Sequence, residues 1–384
     1  MNLPAHSFSP PAATPAVPAA PASPAADSAE RVAAIAQRLL AGGGALTRDE
    51  GLLLADATQI DLDDLLYWAN KLRRRFVGDE IQACGIVSAK TGACSEDCKF
   101  CAQSSHYETQ SPVHKMLEPE AIAEAARRAR DEGAYGFGIV MSGYGISSRR
   151  ELDQVVAGLE AIGQIGGIEP HGSFGIVNDE HVSRMKAAGL VCANHNLETS
   201  ERYYAEVCST HSWRERYQTV QAYKRHGVKT CSGGLFGMGE NWADRVDLAL
   251  ALAELDVDNV PMNFLHHIDG TPFEHQEPLA PRDILRTIAI YRFALPKQDI
   301  GIYGGREVNL RDLQSWIFHA GANAMMVGNY LTTTGRNSEL DQKMVADLGL
   351  RWAIPLEGPA ATTPPDRPAA TPRKFVPLAV AREA

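Results

Sequence analysis

Apolar residues recur at helical spacing in three stretches, near 28–41, 47–56 and 60–75, and predict three helices. Asp61, Asp63 and Asp64 stand just before Leu65-Leu66, where first-turn acids complement the helix dipole. After residue 79 the pattern changes and then repeats. Apolar runs of strand length at 81–88, 135–142, 167–174, 190–197, 228–236, 259–266, 300–303 and 324–328 each precede a helical stretch. The helices centre near 119–132, 150–163, 178–188, 212–226, 241–255, 281–294, 309–320 and 337–348. Eight β-then-α units in roughly 270 residues match a (β/α)8 barrel. The strands are continuous apolar runs, as parallel strands buried on both faces should be. A doubly wound open sheet shows the same alternation, but the count of eight favours the closed barrel.

Composition limits where this barrel lies. Seven of the 22 prolines fall in residues 1–26 and seven more in 355–384. The expected organisation is a disordered Ala/Pro-rich tail over 1–27, helices over 28–78, the barrel over 79–350 and a second disordered tail over 351–384. The formal net charge of −10 argues against nucleic acid as a main partner. No run of 18 apolar residues suggests a membrane span. The first basic residue is Arg31, so the N-terminus fits neither a secretory signal nor a transit peptide, and the expected location is cytoplasmic.

Barrel enzymes place their chemistry at the C-terminal ends of the strands. Those ends carry Asn194-His195-Asn196 with Glu198, Cys231-Ser232-Gly233-Gly234, Asn263, and Gly304-Gly305-Arg306-Glu307. Singly, each is as readily a helix cap or a surface charge. Collected on one rim, they indicate a site.

There are seven cysteines, and three of them, Cys94, Cys98 and Cys101, form a C-x3-C-x2-C loop after the first strand. Three thiolates on a short loop suit three irons of a cubane cluster, with the fourth iron left open to a small molecule. A zinc site would need a fourth ligand, for which His106 is the nearby choice, and such a chain would be a zinc-stabilised scaffold. The cysteine loop resembles that of the radical S-adenosylmethionine (SAM) superfamily. The resemblance implies a [4Fe–4S] cluster whose open iron binds SAM, with Phe100 beside the adenine.

Over about residues 47–348 the sequence resembles the biotin synthase family. The stretches that carry the resemblance are Thr91–Ser105, Asn194-His-Asn-Leu-Glu-Thr-Ser200, Cys231-Ser-Gly-Gly234 with Gly237-Met-Gly-Glu240, Gly270-Thr-Pro272, Gly304-Gly-Arg-Glu307, Gly321-Ala-Asn323 and Gly328-Asn-Tyr-Leu-Thr-Thr333. It implies sulfur insertion into dethiobiotin, an electron donor such as flavodoxin or ferredoxin, and a homodimer. It also implies residue roles. Asn196 stands where SAM ribose and dethiobiotin meet, Glu198 at the ribose hydroxyls and Arg216 at the SAM carboxylate. Asn263, and more weakly Asn194, face the ureido ring. Other radical SAM barrels, such as a hydrogenase-cofactor maturase or an amino-acid mutase, share the cysteine loop but not these segments as a set.

The chain departs from the familiar pattern at the auxiliary cluster. There the family holds a [2Fe–2S] cluster by three cysteines and an arginine. The resemblance assigns two of those positions to Cys231 and Arg306 and the other two to Gly138 and His171. Glycine offers no ligand atom. Cys84 lies on the first strand and, by alternation, shares a face with Ile86 and Ser88. The expected variant cage is therefore Cys231 and Cys84, with Cys208 or His171 as a further ligand and Arg306 close by. Cys192 reads as a small buried hydrophobe.

Overall fold

The computed structural model describes residues 27–328 and 336–353. Nearly all of both expected tails, and Asn329–Thr333 of the last matching stretch, lie outside the described residues. The strands are β1 (Glu80–Lys90), β2 (Gly136–Met141), β3 (Glu169–Ser173), β4 (Cys192–Asn194), β5 (Lys229–Cys231), β6 (Gly234–Phe236), β7 (Asn259–Phe264), β8 (Asp299–Ile302), β9 (Ala324–Met326) and β10 (Arg351–Trp352). All named pairings are parallel, and β9 pairs back onto β1 to close the barrel. β5 and β6 form one interrupted stave, because both pair with β7. That leaves eight staves, as the apolar runs predict, with β10 added outside on the start of β1.

Two expected elements differ. The run 228–236 breaks at Ser232-Gly233, where a Cβ on Gly233 would collide with the Pro261 carbonyl of the neighbouring stave. The stretch expected as one helix over 309–320 is two short helices, Arg306–Leu310 and Trp316–His319, with a 3-10 turn between them. Arg311 sits there at φ 51°, which a continuous helix does not permit.

Of the three N-terminal helices, Ser28–Leu40, Arg48–Ala55 and Leu62–Phe76, the second and third are capped by the side chains of Thr47 and Asp61. Thr47 and Glu50 make a reciprocal capping box. The second and third pack onto the helices Trp242–Glu254 and Pro281–Ala294, and the first packs on the third. Arg286 secures the junction by donating to the Leu54 and Ile60 carbonyls at 2.8 and 2.9 Å. Among the described residues no helix is long and apolar enough to cross a membrane.

At the far side, Arg306 begins the helix after β8, and its guanidinium donates to buried Asp341 of the helix Ser338–Asp347 at 2.7 Å. Removing one partner of a buried ion pair strands the other charge and costs about 3–5 kcal/mol. Arg306→Met is therefore expected to destabilise the barrel by about 3 kcal/mol, since partly exposed Arg336 remains beside Asp341. A lower urea midpoint for the anaerobic full chain is the check.

Candidate functional site

One cavity of about 440 Å³ opens through the C-terminal ends of the strands. Cys94, Cys98 and Cys101 lie near its mouth and Cys84, His171, Cys192 and Cys231 line its walls on β1, β3, β4 and β5. Asn194, Asn196, Glu198, Arg216 and Asn263 line it as well.

The cysteine loop is held by its own backbone. Cys94 N–H donates to the Gln103 carbonyl at 3.1 Å, and Ser105 N–H returns to the Cys94 carbonyl at 2.8 Å. Gly92 and Ala93 both adopt left-handed φ and turn the chain sharply before the first cysteine. Burial pushes the Cys101 thiol up to about 11, and the Cys94 and Glu198 charges add to the shift. A hydrogen bond with Cys208 and burial raise Cys98 as well. Several thiols crowded with little water lose protons readily only to a cation that shares their charge, so this donor set fits an iron cluster. His106, by contrast, is exposed and bonded to the Ser95 carbonyl at 2.9 Å, away from these thiols.

Beside the loop, Arg216 projects from the helix Trp213–Arg225, whose start is fixed by a Ser212/Glu215 capping box. Its guanidinium donates to Tyr204 Oη at 2.6 Å and to the Asn196 carbonyl at 2.9 Å, and lies 3.5 Å from Glu198. These contacts run through Nε and Nη1. Burial pushes the Glu198 carboxyl upward against the pull of Arg216. Glu198 itself sits at a left-handed φ of 68° and lines the cavity. His195, also lining the cavity, is held well below the usual imidazole range by burial, with Arg216 and His211 adding to the effect. Its Nε2 lacks a partner among the described residues.

Two asparagines are oriented by backbone. Asn263 donates to the Gly234 carbonyl at 3.3 Å and accepts from Gly304 N–H at 2.9 Å. Asn196 Oδ1 accepts from Gly233 N–H at 3.2 Å. Each amide keeps further hydrogen-bonding capacity for a ligand.

Register assembles the deeper group. Cys84 lies opposite Gly136, Gly138 opposite His171, His171 opposite Cys192, and Asn194 opposite Cys231. The His171 ring lies over Gly136, so any Cβ there would collide with it. It thereby reaches across β2 toward the stave of Cys84, the residue opposite Gly136. Burial opposes charge on His171, but Cys84 and Glu169, the latter bonded at 3.2 Å, outweigh it and lift the imidazole to about 9. Burial likewise opposes the Glu169 charge, yet His171 and Lys229 hold that carboxyl down at about 2. The Cys192 and Cys231 thiols influence each other across adjacent staves, which lowers Cys231 and, with burial, raises Cys192. Asn194 Nδ2 is 3.5 Å from Cys231 Sγ, and Tyr303 Oη is 3.8 Å from Cys84 Sγ.

Three expectations need correction. Cys208 does not join Cys231. Its sulfur is 3.7 Å from Cys98, because the turn before the helix Trp213–Arg225 folds over the cysteine loop. Arg306 does not line the cavity. Gly305, at φ 74°, starts a helix that carries Arg306 out of the lumen to Asp341. The lumen position on that stave belongs to Tyr303, whose ring covers Gly301. Cys192, read from sequence as packing, joins the deep group instead.

A closed parallel barrel with a C-x3-C-x2-C loop above its first strand defines a radical SAM enzyme. The family described as the radical SAM superfamily matches residues 89–252, and the biotin and thiamin synthesis associated domain matches 261–351. The biotin synthase of Citrifermentans bemidjiense is 45% identical over 320 residues, covering 83% of this chain and 97% of that one. That of Geobacter sulfurreducens is 46% identical over 319 residues, covering 83% and 96%. The chain belongs to the biotin synthase family and is a sulfur-inserting radical SAM enzyme. The maturase, mutase and zinc-scaffold alternatives give way to this membership. Solved structures share the fold. Methylornithine synthase matches with a TM-score of 0.72 at 19% identity, covering 83% of this chain and 97% of that one. The hydrogenase maturase HydG matches with a TM-score of 0.71 at 13% identity, covering 84% and 75%.

Proposed function

We propose that this chain converts dethiobiotin to biotin in the single cavity described above, with Cys94, Cys98 and Cys101 holding a [4Fe–4S] cluster and Cys84, His171, Cys192 and Cys231 holding an auxiliary iron–sulfur cluster. The observation that carries this reading is that both thiol groups line one cavity, with the asparagines on its wall between the strands that bear them. When bound, the first cluster with SAM supplies a carbon radical that removes hydrogen, and the auxiliary cluster supplies the sulfur.

The protein's part is to hold and exclude. Arg216 presents Nη2 to the SAM carboxylate, its Nε and Nη1 being committed to Tyr204 and Asn196. Glu198 accepts from the ribose hydroxyls, and Phe100 lies against the adenine. Asn263, Asn196 and Asn194 read the ureido ring, because an amide both donates and accepts. The apolar walls, among them Ile86, Val140 and Leu235, keep water from the radical. An electron donor of the flavodoxin or ferredoxin kind, a homodimer and a cytoplasmic location complete the reading, supported by family membership.

Anaerobic reconstitution with iron and sulfide, followed by dethiobiotin, SAM and reductant, should yield biotin. A reconstituted chain that cleaves SAM but makes no biotin overturns the proposal. Asn263→Leu should weaken dethiobiotin binding about tenfold or more, since a buried amide left unpaired costs about 1–3 kcal/mol. Equilibrium binding to the reconstituted enzyme checks it, and unchanged affinity removes Asn263 from the substrate site.

A further inference from the structure

Beside the cysteine loop lies a group of which the reading above uses only Cys98. Cys98, Cys208 and His211 are buried, and their ligand atoms all lie within 4.8 Å of one another. The Cys98 and Cys208 sulfurs are 3.7 Å apart, and the His211 nitrogens are 3.4 and 3.9 Å from Cys208 Sγ. A tetrahedral zinc ion, with Zn–S near 2.3 Å and Zn–N near 2.0 Å, sets S···S edges of about 3.8 Å and S···N edges of about 3.5 Å. The sulfur pair already stands at its edge, and the edge from Cys208 to Nε2 of His211, at 3.9 Å, closes with a small turn of the ring.

The surroundings fit as well. Asp97 Oδ1 is 3.2 Å from Cys208 Sγ, within reach of a fourth position. His211 Nδ1 donates to Glu96 Oε2 at 2.7 Å, which leaves Nε2 as the ligating nitrogen. A carboxylate behind a histidine is the usual second partner of a metal-bound imidazole. Arg216 now donates to His211 Nε2 at 3.1 Å, and a bound ion replaces that bond while Arg216 keeps Tyr204 and Asn196.

We propose that Cys98, Cys208 and His211, with Asp97, form a mononuclear site for a zinc-like divalent cation in the cluster-free chain. Binding releases the two thiol protons to solvent and involves no change of oxidation state. Because Cys98 serves both sites, an ion held here excludes the [4Fe–4S] cluster from the loop. The same pocket thus receives either one divalent ion or the cluster.

The test uses the full chain, purified without iron and kept anaerobic with a non-thiol reductant, and titrated with Co2+ as an optical stand-in for Zn2+. The expected result is one Co2+ per chain, with thiolate-to-cobalt charge transfer and strong tetrahedral ligand-field bands that Zn2+ abolishes. Cys94→Ala should keep these bands. Cys208→Ser, folded by circular dichroism, should weaken binding by more than about a hundredfold, since loss of even an outer partner costs about ten- to a hundredfold. Zinc added before iron and sulfide should block cluster formation in the unaltered chain and spare it in Cys208→Ser. No Co2+ uptake, wild-type uptake by Cys208→Ser, or bands lost in Cys94→Ala each overturns the site, the last by placing the ion on the three-cysteine loop. Equal zinc inhibition of both chains overturns the exclusion.

Discussion

Cys98→Ala, reconstituted anaerobically, should form no 5′-deoxyadenosine above background. The loop supplies three thiolates to four irons, and no further cysteine on it can replace one that is lost. The effect should be all-or-none rather than graded, because a cluster held by two thiolates neither survives nor keeps a single open iron for SAM. Cys94→Ala and Cys101→Ala should behave alike. Iron content and 5′-deoxyadenosine yield are the measurements. Cleavage at the wild-type rate in the Cys98 variant removes this loop from the chemistry.

The second large effect concerns the deep group. Cys231→Ala and Cys84→Ala should each lose the auxiliary cluster, and biotin formation with it, while SAM cleavage continues. The two thiols stand on staves β5 and β1, facing one cavity, with Cys192 and His171 on the staves between. Iron and sulfide counts with Mössbauer spectra separate the outcomes. The unaltered chain should show two clusters and the variants the signature of the loop cluster alone. If both variants keep the full complement, the cage described here does not exist. If the unaltered chain itself shows one cluster, sulfur insertion from an auxiliary cluster fails with it.

The barrel was legible because its staves are continuous apolar runs, and eight such runs leave few alternatives. The loop was legible because its three cysteines are neighbours in sequence. What sequence hid was long-range register. Cys192 reads as an ordinary small core residue, and its place opposite His171 appears only when β3 and β4 pair. Cys208 and Cys98 are 110 positions apart, and no local pattern links them. The resemblance set Arg306 beside the auxiliary cluster by its position in the sequence alone. The left-handed Gly305 decides otherwise, and a glycine does not announce in sequence whether it uses that freedom. The break at Ser232-Gly233 was hidden for a similar reason, since its cause is a carbonyl on another stave.

Gly136 also decides which substitutions the deep end of the cavity can accept. A side chain at 138 would meet only Ile86 at 3.2 Å and the Gly85 carbonyl at 3.9 Å, so a cysteine there needs little adjustment. Position 136 is closed to every residue but glycine while the His171 ring lies over it. The two glycines on one strand are therefore under different constraints. Position 138 admits a small side chain without disturbing the deep group. A β-carbon at 136 would displace the His171 ring, so Gly136 is the vacancy that lets that ring lie across β2 and face the cavity.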